Sequence, residues 1–387
     1  MRRRPAVRYR RRRTPSWARW CVTLGALLAV VAGGSVVALQ VTVGAATSSV
    51  SQQALLGSSR SQAKRASIKG AKNILLVGID ARKDALPKAG TRSDSIILLH
   101  IPADHQSGYL ISLPRDSFVE IPAYDNGAQR FAGGENKINS AFFFGSRGLT
   151  GPEALSGGFE LLSLTIKDLT GITPDAGAII DFQGFRNVVN VLGKVCMKVE
   201  QNVTSVHRGV DNETGEFAVP YVLNKDGSVR SKVRGVTANF YEKGDRCFNP
   251  TEALDFVRQR DLLENRDFDY GRQRNQQLFF KAIIKQAIDD GLASPTKLPG
   301  LVKAFGQTMT VDSGGISLED WVFAMKGINP DDLVTLKTNE GKFNSRQVPG
   351  VGSVEVLSDD SLALLRAARN DTVAEFAAAN PEYVSKT

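Results

Sequence analysis

The chain has 387 residues, of which 42% are hydrophobic and 23% are charged, and its formal net charge is +9. This length and apolar content are sufficient for a buried core, which excludes a disordered protein. Nine arginines before residue 20 account for the whole excess of positive charge, since they leave 40 basic residues against 40 acidic ones. The charge is therefore local to the N-terminus and does not predict a groove that binds nucleic acid.

Residues 20–43 follow these arginines and contain no charge, reading WCVTLGALLAVVAGGSVVALQVTV. As a helix this segment would extend roughly 36 Å, enough to cross a hydrocarbon layer of about 30 Å with some tilt. Because the basic flank precedes the span, we predict that residues 1–19 form a cytoplasmic tail and that the rest of a single-pass cell-membrane protein is extracytoplasmic. A cleaved signal peptide is the alternative, although its apolar region normally runs only about 7 to 15 residues.

Beyond this predicted transmembrane helix, residues 44–70 are rich in Ser, Ala and Gln and are predicted to be an extracytoplasmic linker. Residues 71–387 are predicted to form the folded domain, with a C-terminal extension to which no chemistry is assigned. Cys196 and Cys247 both fall in this domain, where an oxidising compartment favours a disulfide between them. Two buried free thiols are the alternative.

Three short apolar runs predict neighbouring strands at residues 73–80, 95–101 and 108–113. If the second and third strands form a hairpin and the first pairs antiparallel with the second, then one sheet edge receives the end of the first strand, the start of the second and the end of the third. The charged residues at that edge are Asp80, Arg92, Asp94, Arg115 and Asp116. Surface ion pairs, each contributing about 0 to 1 kcal/mol, would explain any one pair but not this convergence.

The following segments alternate between helix and strand. A helix is predicted over residues 151–171, a strand over 177–182 and a second helix over 185–193. This alternation predicts an α/β sandwich with a mixed central sheet flanked by helices.

A run of arginines, FVRQRDLLENRDFDYGRQRNQQ, occupies residues 256–277. The helix before it is predicted to begin with Asn249 as its cap, and a second helix is predicted from Gly271. Arg258 and Arg260 would point the same way only if the chain leaves the first helix in an extended conformation. Arginines near a helix N-terminus can bind an oxyanion, and two nearby aspartates can hold Mg²⁺, so the pattern predicts either a diphosphate site or a structural charge network.

Seven motifs support a more specific interpretation. They are NILLVGID, TRSDSIILL, SLPRDSFVEIP, NKINSAFFFG, DFQGF, TEALDFVRQR and DYGRQRNQQ. In this order behind one apolar segment, over about residues 70–290, they resemble the LytR-CpsA-Psr family of cell-wall phosphotransferases. The resemblance implies an extracytoplasmic enzyme that moves a glycopolymer from a polyprenyl diphosphate carrier onto peptidoglycan or a related wall acceptor as a phosphodiester.

Carried over position by position, the resemblance implies a role for each site residue. Asp80 and Asp94 would hold Mg²⁺ or Mn²⁺. The residues implied to contact the diphosphate are Arg92, Arg115, Arg258, Arg260, Arg272 and Gln276. Those implied to act in catalysis are Arg115, Asp116, Arg258, Arg260 and Asp269, with the two aspartates orienting arginines or transferring a proton. Members often have arginine where Asn275 stands, so one anion contact is either missing or taken over by Arg274.

Two other functions fit the same residues. A hydrolase would release the lipid-linked glycan to water, and a non-catalytic protein would bind the lipid-linked polymer without turnover. Zinc catalysis is disfavoured because His100, His105 and His207 are scattered and lack ligand spacing.

Overall fold

The computed structural model describes residues 52–57, 67–80, 88–224, 227–293, 306, 308–325 and 327–385. No helix within these ranges is long and apolar enough to cross a membrane. The predicted cytoplasmic tail and transmembrane helix lie outside the described residues.

Strands and helices follow one another throughout the described ranges. The strands, in chain order, are β1 (Lys72–Ile79), β2 (Ser93–Ile101), β3 (Gly108–Leu113), β4 (Phe118–Ile121), β5 (Tyr124–Asp125), β6 (Arg130–Phe131), β7 (Gly134–Lys137), β8 (Ala176–Asp181), β9 (Val195–Val199), β10 (Val203–Asp211), β11 (Phe217–Ala218), β12 (Tyr221–Leu223), β13 (Val229–Lys232), β14 (Val236–Tyr241), β15 (Gly244–Phe248), β16 (Met309–Asp312), β17 (Leu333–Lys337), β18 (Ser345–Val348) and β19 (Gly352–Glu355). The helices are α1 (Asn139–Ser146), α2 (Gly151–Thr170), α3 (Phe182–Val191), α4 (Pro250–Arg258), α5 (Phe268–Ala293), α6 (Leu318–Met325), α7 (Asp359–Asn370) and α8 (Val373–Ala379).

The central sheet has the strand order β16-β8-β1-β2-β3-β17 among the described residues. Strand β2 is antiparallel to both β1 and β3, whereas β8 runs parallel to β1 and β17 runs parallel to β3. The sheet is therefore mixed, and the predicted arrangement of the first three strands is confirmed.

Both faces of this sheet are buried, which explains why its strands have continuous apolar runs rather than alternating ones. Leu75 and Leu98 face the layer that contains α2 and α7, and Leu99 and Leu110 face the layer that contains α6. The predicted central sheet flanked by helices is confirmed by these layers.

The helix that leads into the arginine run has the predicted capping box. Asn249 Oδ1 accepts hydrogen bonds from the backbone N–H groups of Thr251 and Glu252, and the Glu252 side chain accepts one from Asn249 N–H. The next helix, α5, begins at Phe268 rather than at the predicted Gly271. The prediction was wrong here because it took the helix to start at a glycine, whereas Gly271 N–H already donates to the carbonyl of Asp267 within the first turn.

Part of the segment predicted as a linker packs against the domain. Leu55 and Leu56 are 0% and 1% exposed within the main core, and their backbone N–H groups donate to Asp312 Oδ2 at 2.7 and 2.9 Å. Residues 52–57 therefore belong to the folded domain, and the linker prediction is wrong for them. Two adjacent leucines are too short an apolar run to reveal this contact in the sequence.

Cys196 and Cys247 face each other across the antiparallel pair of β9 and β15, and their sulfur atoms form a disulfide. The two cysteines are 51 positions apart in the sequence, and the chain between them forms the small sheets of β10 to β14. It thus ties the two ends of this inserted region together beside α4.

Replacing both cysteines with serine is expected to lower the free energy of unfolding by about 2 to 4 kcal/mol, because the cross-link restricts the unfolded chain. Urea denaturation without reductant measures the difference. Dithiothreitol should bring the original protein down to the stability of the double variant and leave the variant unchanged. Equal stability of the two proteins without reductant would contradict the prediction.

Candidate active site

A cavity of about 890 Å³ lies at the sheet edge where β2 begins and β3 ends. This volume is within the range of roughly 300 to 1,000 Å³ that ligand sites usually have. The pairing of Ile96 with Leu113 places Asp94 and Arg115 at the same edge. Of the site residues predicted from the sequence, those that line the cavity are Arg92, Asp94, Arg115, Asp116, Arg260 and Asp269.

Arg115 is the centre of the charged groups in the cavity. Its Nη1 donates to Asp94 Oδ1 at 2.7 Å, and its Nε lies 3.5 Å from Asp269 Oδ2 and 3.8 Å from Asp116 Oδ2. Burial disfavours the charge, but Asp269, Asp94 and Asp116 outweigh this effect and raise the pKa of Arg115. The three carboxylates therefore stabilise the charged guanidinium against the cost of its burial.

Asp269 joins Arg115 to a second arginine, Arg272. Asp269 Oδ1 lies 3.3 Å from Arg272 Nη2, three residues further along α5. Burial alone would raise the pKa of Asp269, but Arg272 and Arg115 lower it below its ordinary value. Arg272 is only 7% exposed, and this burial lowers the pKa of Arg272 despite its carboxylate partner. The pair is therefore a largely buried ion pair, and its carboxylate lines the cavity next to Arg115.

Asp116 has a second partner that the sequence analysis did not assign. Lys137 Nζ lies 2.9 Å from Asp116 Oδ1, and Lys137 itself lines the cavity. The pairing of β4 with β7 places Lys137 opposite Phe118, two residues beyond Asp116. Lys137 lies within the motif NKINSAFFFG, so the signal was present in the sequence but carried no role.

Arg92 also lines the cavity and is oriented by α1. Its Nη1 donates to Asn139 Oδ1 at 3.2 Å and to Ser140 Oγ at 2.6 Å, and its guanidinium lies 5.1 Å from the Phe143 ring centroid. Arg92 forms no ion pair with a carboxylate in the described part of the chain, so its charge is available to an anion in the cavity.

Arg258 and Arg260 flank Gln259, where α4 gives way to an extended conformation with φ −70° and ψ 135°. This extended exit is the conformation in which the sequence analysis expected the two arginines to point the same way. Arg260 lines the cavity, whereas Arg258 packs over the Phe182 ring at 4.5 Å.

Gln276 does not line the cavity, and its Nε2 donates to the carbonyl of Val257 at 3.2 Å. Its predicted contact with the diphosphate stays a prediction.

Asp80 and Asp94 fit a hard divalent cation. Partial removal of water raises the pKa of Asp80, and so does the negative charge of Asp94, although Arg258 and Arg115 lower it. Two carboxylates close enough to repel each other are a suitable partial ligand set for Mg²⁺, which usually takes one or two carboxylates and completes its shell with substrate phosphates and water. Within the described ranges, no third His, Cys, Asp or Glu completes a metal-binding group.

The C-terminal extension forms one wall of the cavity, which the sequence analysis did not foresee. Phe343, Ser345, Val351 and Glu355 all line it. The same extension also supplies β16 and β17, the two edges of the central sheet. The extension thus completes the central sheet and in addition shapes the site.

Arg274 does not take over the anion contact that arginine would make at position 275. Its Nε lies 2.6 Å from Glu200 Oε2 and its Nη2 lies 2.5 Å from Asp267 Oδ2, and it lines a separate cavity of about 90 Å³ rather than the large one. Asn275 is 1% exposed and does not line the large cavity.

The chain resembles proteins named for roles in cell-wall synthesis. It is 28% identical over 270 residues to the cell wall biosynthesis protein LcpA of Corynebacterium glutamicum, a match that covers 63% of this chain and 45% of that protein. It is 28% identical over 240 residues to the polyisoprenyl-teichoic acid–peptidoglycan teichoic acid transferase TagU of Halalkalibacterium halodurans, covering 62% of this chain and 60% of that protein. The chain thus spans about half the length of these relatives.

The fold is also found in a solved structure. The crystal structure of B. subtilis TagV superposes with a TM-score of 0.54 over 79% of this chain and 98% of that one, at 18% identity. The sequence profile of the LytR_cpsA_psr family matches residues 39–367. Because this match covers most of the chain, we conclude that the protein belongs to the LytR_cpsA_psr family.

Proposed function

We propose that this protein is a phosphotransferase that moves a glycopolymer from a polyprenyl diphosphate carrier onto peptidoglycan or a related wall acceptor. The observation that carries the proposal is the convergence of three arginines and four aspartates on one cavity, namely Arg92, Arg115, Arg260, Asp94, Asp116, Asp261 and Asp269. Family membership supports it, and so does the name of the relative TagU, a teichoic acid transferase.

The positive charges of the cavity arginines are complementary to the diphosphate group of the substrate. Guanidinium groups bind phosphate oxygens through paired N–H donors, and their charge offsets the negative charge that the lipid phosphate gains as it leaves. Arg92, Arg115 and Arg260 all line the cavity, and in this proposal they contact the diphosphate oxygens. Arg258, next to Asp80, binds the outer oxygens. Phosphoryl transfer mainly requires that the reacting groups are positioned and that the negative charge on the phosphate oxygens is neutralised. The reaction therefore needs no serine or cysteine nucleophile.

The two aspartates beside Arg115 have different roles in this proposal. Asp269 is held by two arginines, which lower its pKa and make it a weak base, so it positions Arg115 and Arg272. Asp116 lines the cavity with its side chain 33% exposed, so it can accept a proton. In the reaction the acceptor hydroxyl oxygen forms a bond to the phosphorus that carries the glycan, and its proton passes to Asp116. The bond from that phosphorus to the bridging oxygen breaks, and polyprenyl phosphate leaves.

Asp80 and Asp94 would hold Mg²⁺, which, when bound, neutralises diphosphate oxygens. Replacing Asp80 with asparagine is expected to raise the Mg²⁺ concentration for half-maximal transfer by at least about tenfold, since even changes to residues around metal ligands have effects of this size. Asp80 is exposed, so the variant should keep its thermal stability. A Mg²⁺ titration of the transfer rate measures the effect, and an unchanged titration curve would contradict the assignment.

The same proposal places residues 20–43 across the membrane and the cavity outside the cell. The positive flank before the span supports this orientation. The Cys196–Cys247 disulfide supports it as well, because such bonds persist in oxidising compartments.

One experiment separates the three functions that the sequence left open. The purified protein is incubated with Mg²⁺, a labelled polyprenyl diphosphate glycan and peptidoglycan fragments as acceptor. A labelled glycan–acceptor conjugate is expected and identifies a transferase. Free lipid phosphate without a conjugate would identify a hydrolase, and intact bound substrate would identify a binding protein, and either of these outcomes would overturn the proposal.

A further inference from the structure

One wall of the cavity consists of aromatic rings that the protein leaves partly uncovered. Phe268 and Phe343 are 44% and 50% exposed, and both line the cavity. Their ring centroids are 6.1 Å apart at an angle of 64°, and Phe343 lies 5.1 Å from the ring of Tyr270 at an angle of 67°. Contiguous exposed apolar surface that lines a groove often marks a ligand-binding site, so this wall is a candidate binding surface.

The backbone at Phe268 supports this view. Its φ is +42°, in the left-handed region that bulky residues rarely adopt. Holding a residue in such a conformation costs about 1 to 3 kcal/mol, and such residues cluster at functional sites.

A buried carboxylate fixes the aromatic wall in place. Glu355, at the end of β19, is 5% exposed and accepts hydrogen bonds from Tyr270 Oη at 2.9 Å and from Asn339 Nδ2 at 3.0 Å. Its other carboxylate oxygen accepts a hydrogen bond from Ser345 Oγ at 2.9 Å. Its backbone N–H donates to the carbonyl of Asp116 at 2.9 Å. The wall is therefore attached to the same residue that accepts the proton in the proposed reaction.

The cavity lining combines apolar and polar groups. Ser345, Ser353, Asn136 and Asp261 line the cavity together with the two phenylalanines. A sugar ring has this combination of surfaces, because one face presents C–H groups and the rim presents hydroxyl groups. A polyprenyl chain is apolar along its length and matches only the apolar part of this lining, so the mixed lining suits a sugar ring better.

We propose that Phe268 and Phe343 form the subsite for a sugar ring of the acceptor glycan, on which the ring lies while its hydroxyl reaches Asp116. This inference rests on the proposed function, because it assigns the acceptor of that reaction. The position beside Asp116 distinguishes the acceptor sugar from the donor sugar, since the attacking hydroxyl must lie next to the group that takes its proton.

The test measures binding without requiring turnover. The full-length protein, purified in detergent, is titrated with the soluble peptidoglycan disaccharide N-acetylglucosaminyl-N-acetylmuramic acid, and binding is followed by saturation-transfer NMR. The Phe343→Ala and Phe268→Ala variants are each expected to weaken binding about tenfold, because stacking contributes strongly to such contacts. Phe343→Trp, which keeps an aromatic face, is expected to stay within about twofold of the original protein.

Phe240→Ala is the matched control, since Phe240 is 52% exposed and does not line the cavity. Its affinity for the disaccharide should not change. The proposal is overturned if the original protein does not bind the disaccharide, if neither cavity variant weakens binding, or if the control weakens it equally.

The transfer assay provides a second, separate result. Phe343→Ala should raise the KM for the acceptor about tenfold and leave the KM for the labelled donor unchanged. A raised KM for the donor alone would assign the rings to the donor sugar and overturn the proposal. If the protein proves to have no transferase activity, the binding experiment still decides whether the aromatic subsite exists.

Discussion

Replacement of Arg115 by lysine is expected to lower the turnover number of phosphotransfer by about 10³-fold, the scale of effect found for arginines that stabilise phosphoryl transfer. Arg115 contacts Asp94 through Nη1 and faces Asp269 and Asp116 through Nε. Lysine keeps the positive charge but has a single nitrogen, so it cannot hold these carboxylates and a phosphate oxygen at the same time.

The measurement is the rate of transfer from a labelled polyprenyl diphosphate glycan at saturating donor and acceptor. Arg246→Lys is the matched control, since Arg246 pairs with Glu252 at 3.7 Å and does not line the cavity. Its turnover should match that of the original protein. A turnover within about threefold of the original for Arg115→Lys would remove Arg115 from the proposed mechanism.

The centre of the site could be predicted from the sequence because short-range patterns determine it. The apolar runs of β1, β2 and β3 have lengths that suit adjacent antiparallel strands, and this pairing alone brings Asp94 and Arg115 to one edge. The start of α4 could also be predicted from the sequence, because a capping box depends on residues that are close together in the chain.

The aromatic wall could not be predicted because its contacts join distant parts of the chain. Tyr270 and Glu355 are 85 positions apart, and neither lies in a pattern that indicates the other. Phe343 looks like an ordinary core residue in the sequence, and only the fold shows that half of its surface is exposed. The role of residues 52–57 was hidden for the same reason, because Leu55 and Leu56 are buried by packing against distant elements.

Replacement of Asp269 by asparagine is expected to lower the free energy of unfolding at neutral pH by about 3 to 5 kcal/mol, the usual cost of removing one partner from a buried ion pair. The variant leaves Arg272, which is 7% exposed, without a carboxylate at 3.3 Å. It also removes one of the three carboxylates around Arg115. Asparagine has nearly the same shape as aspartate, so the loss reports on charge rather than on packing.

The pH dependence gives an independent check on this interpretation. Because Arg272 and Arg115 lower the pKa of Asp269 in the folded protein, its contribution to stability is complete above the pKa of an ordinary aspartate, about 3.9, and is lost as the pH falls through the lowered value. The asparagine variant has no such contribution to lose. Urea denaturation should therefore show that the original protein and the Asp269→Asn variant differ in free energy of unfolding by a constant amount near neutral pH. The difference should become smaller at acidic pH.

A surface pair provides the control for this experiment. Asp331 lies 3.1 Å from Lys285, and both side chains are largely exposed, so Asp331→Asn should change the stability by no more than about 1 kcal/mol. If Asp269→Asn costs as little as Asp331→Asn, the buried carboxylate does not hold the two arginines. Among the described residues, Arg115 would then be positioned by its two other carboxylate partners, Asp94 at 2.7 Å and Asp116 at 3.8 Å.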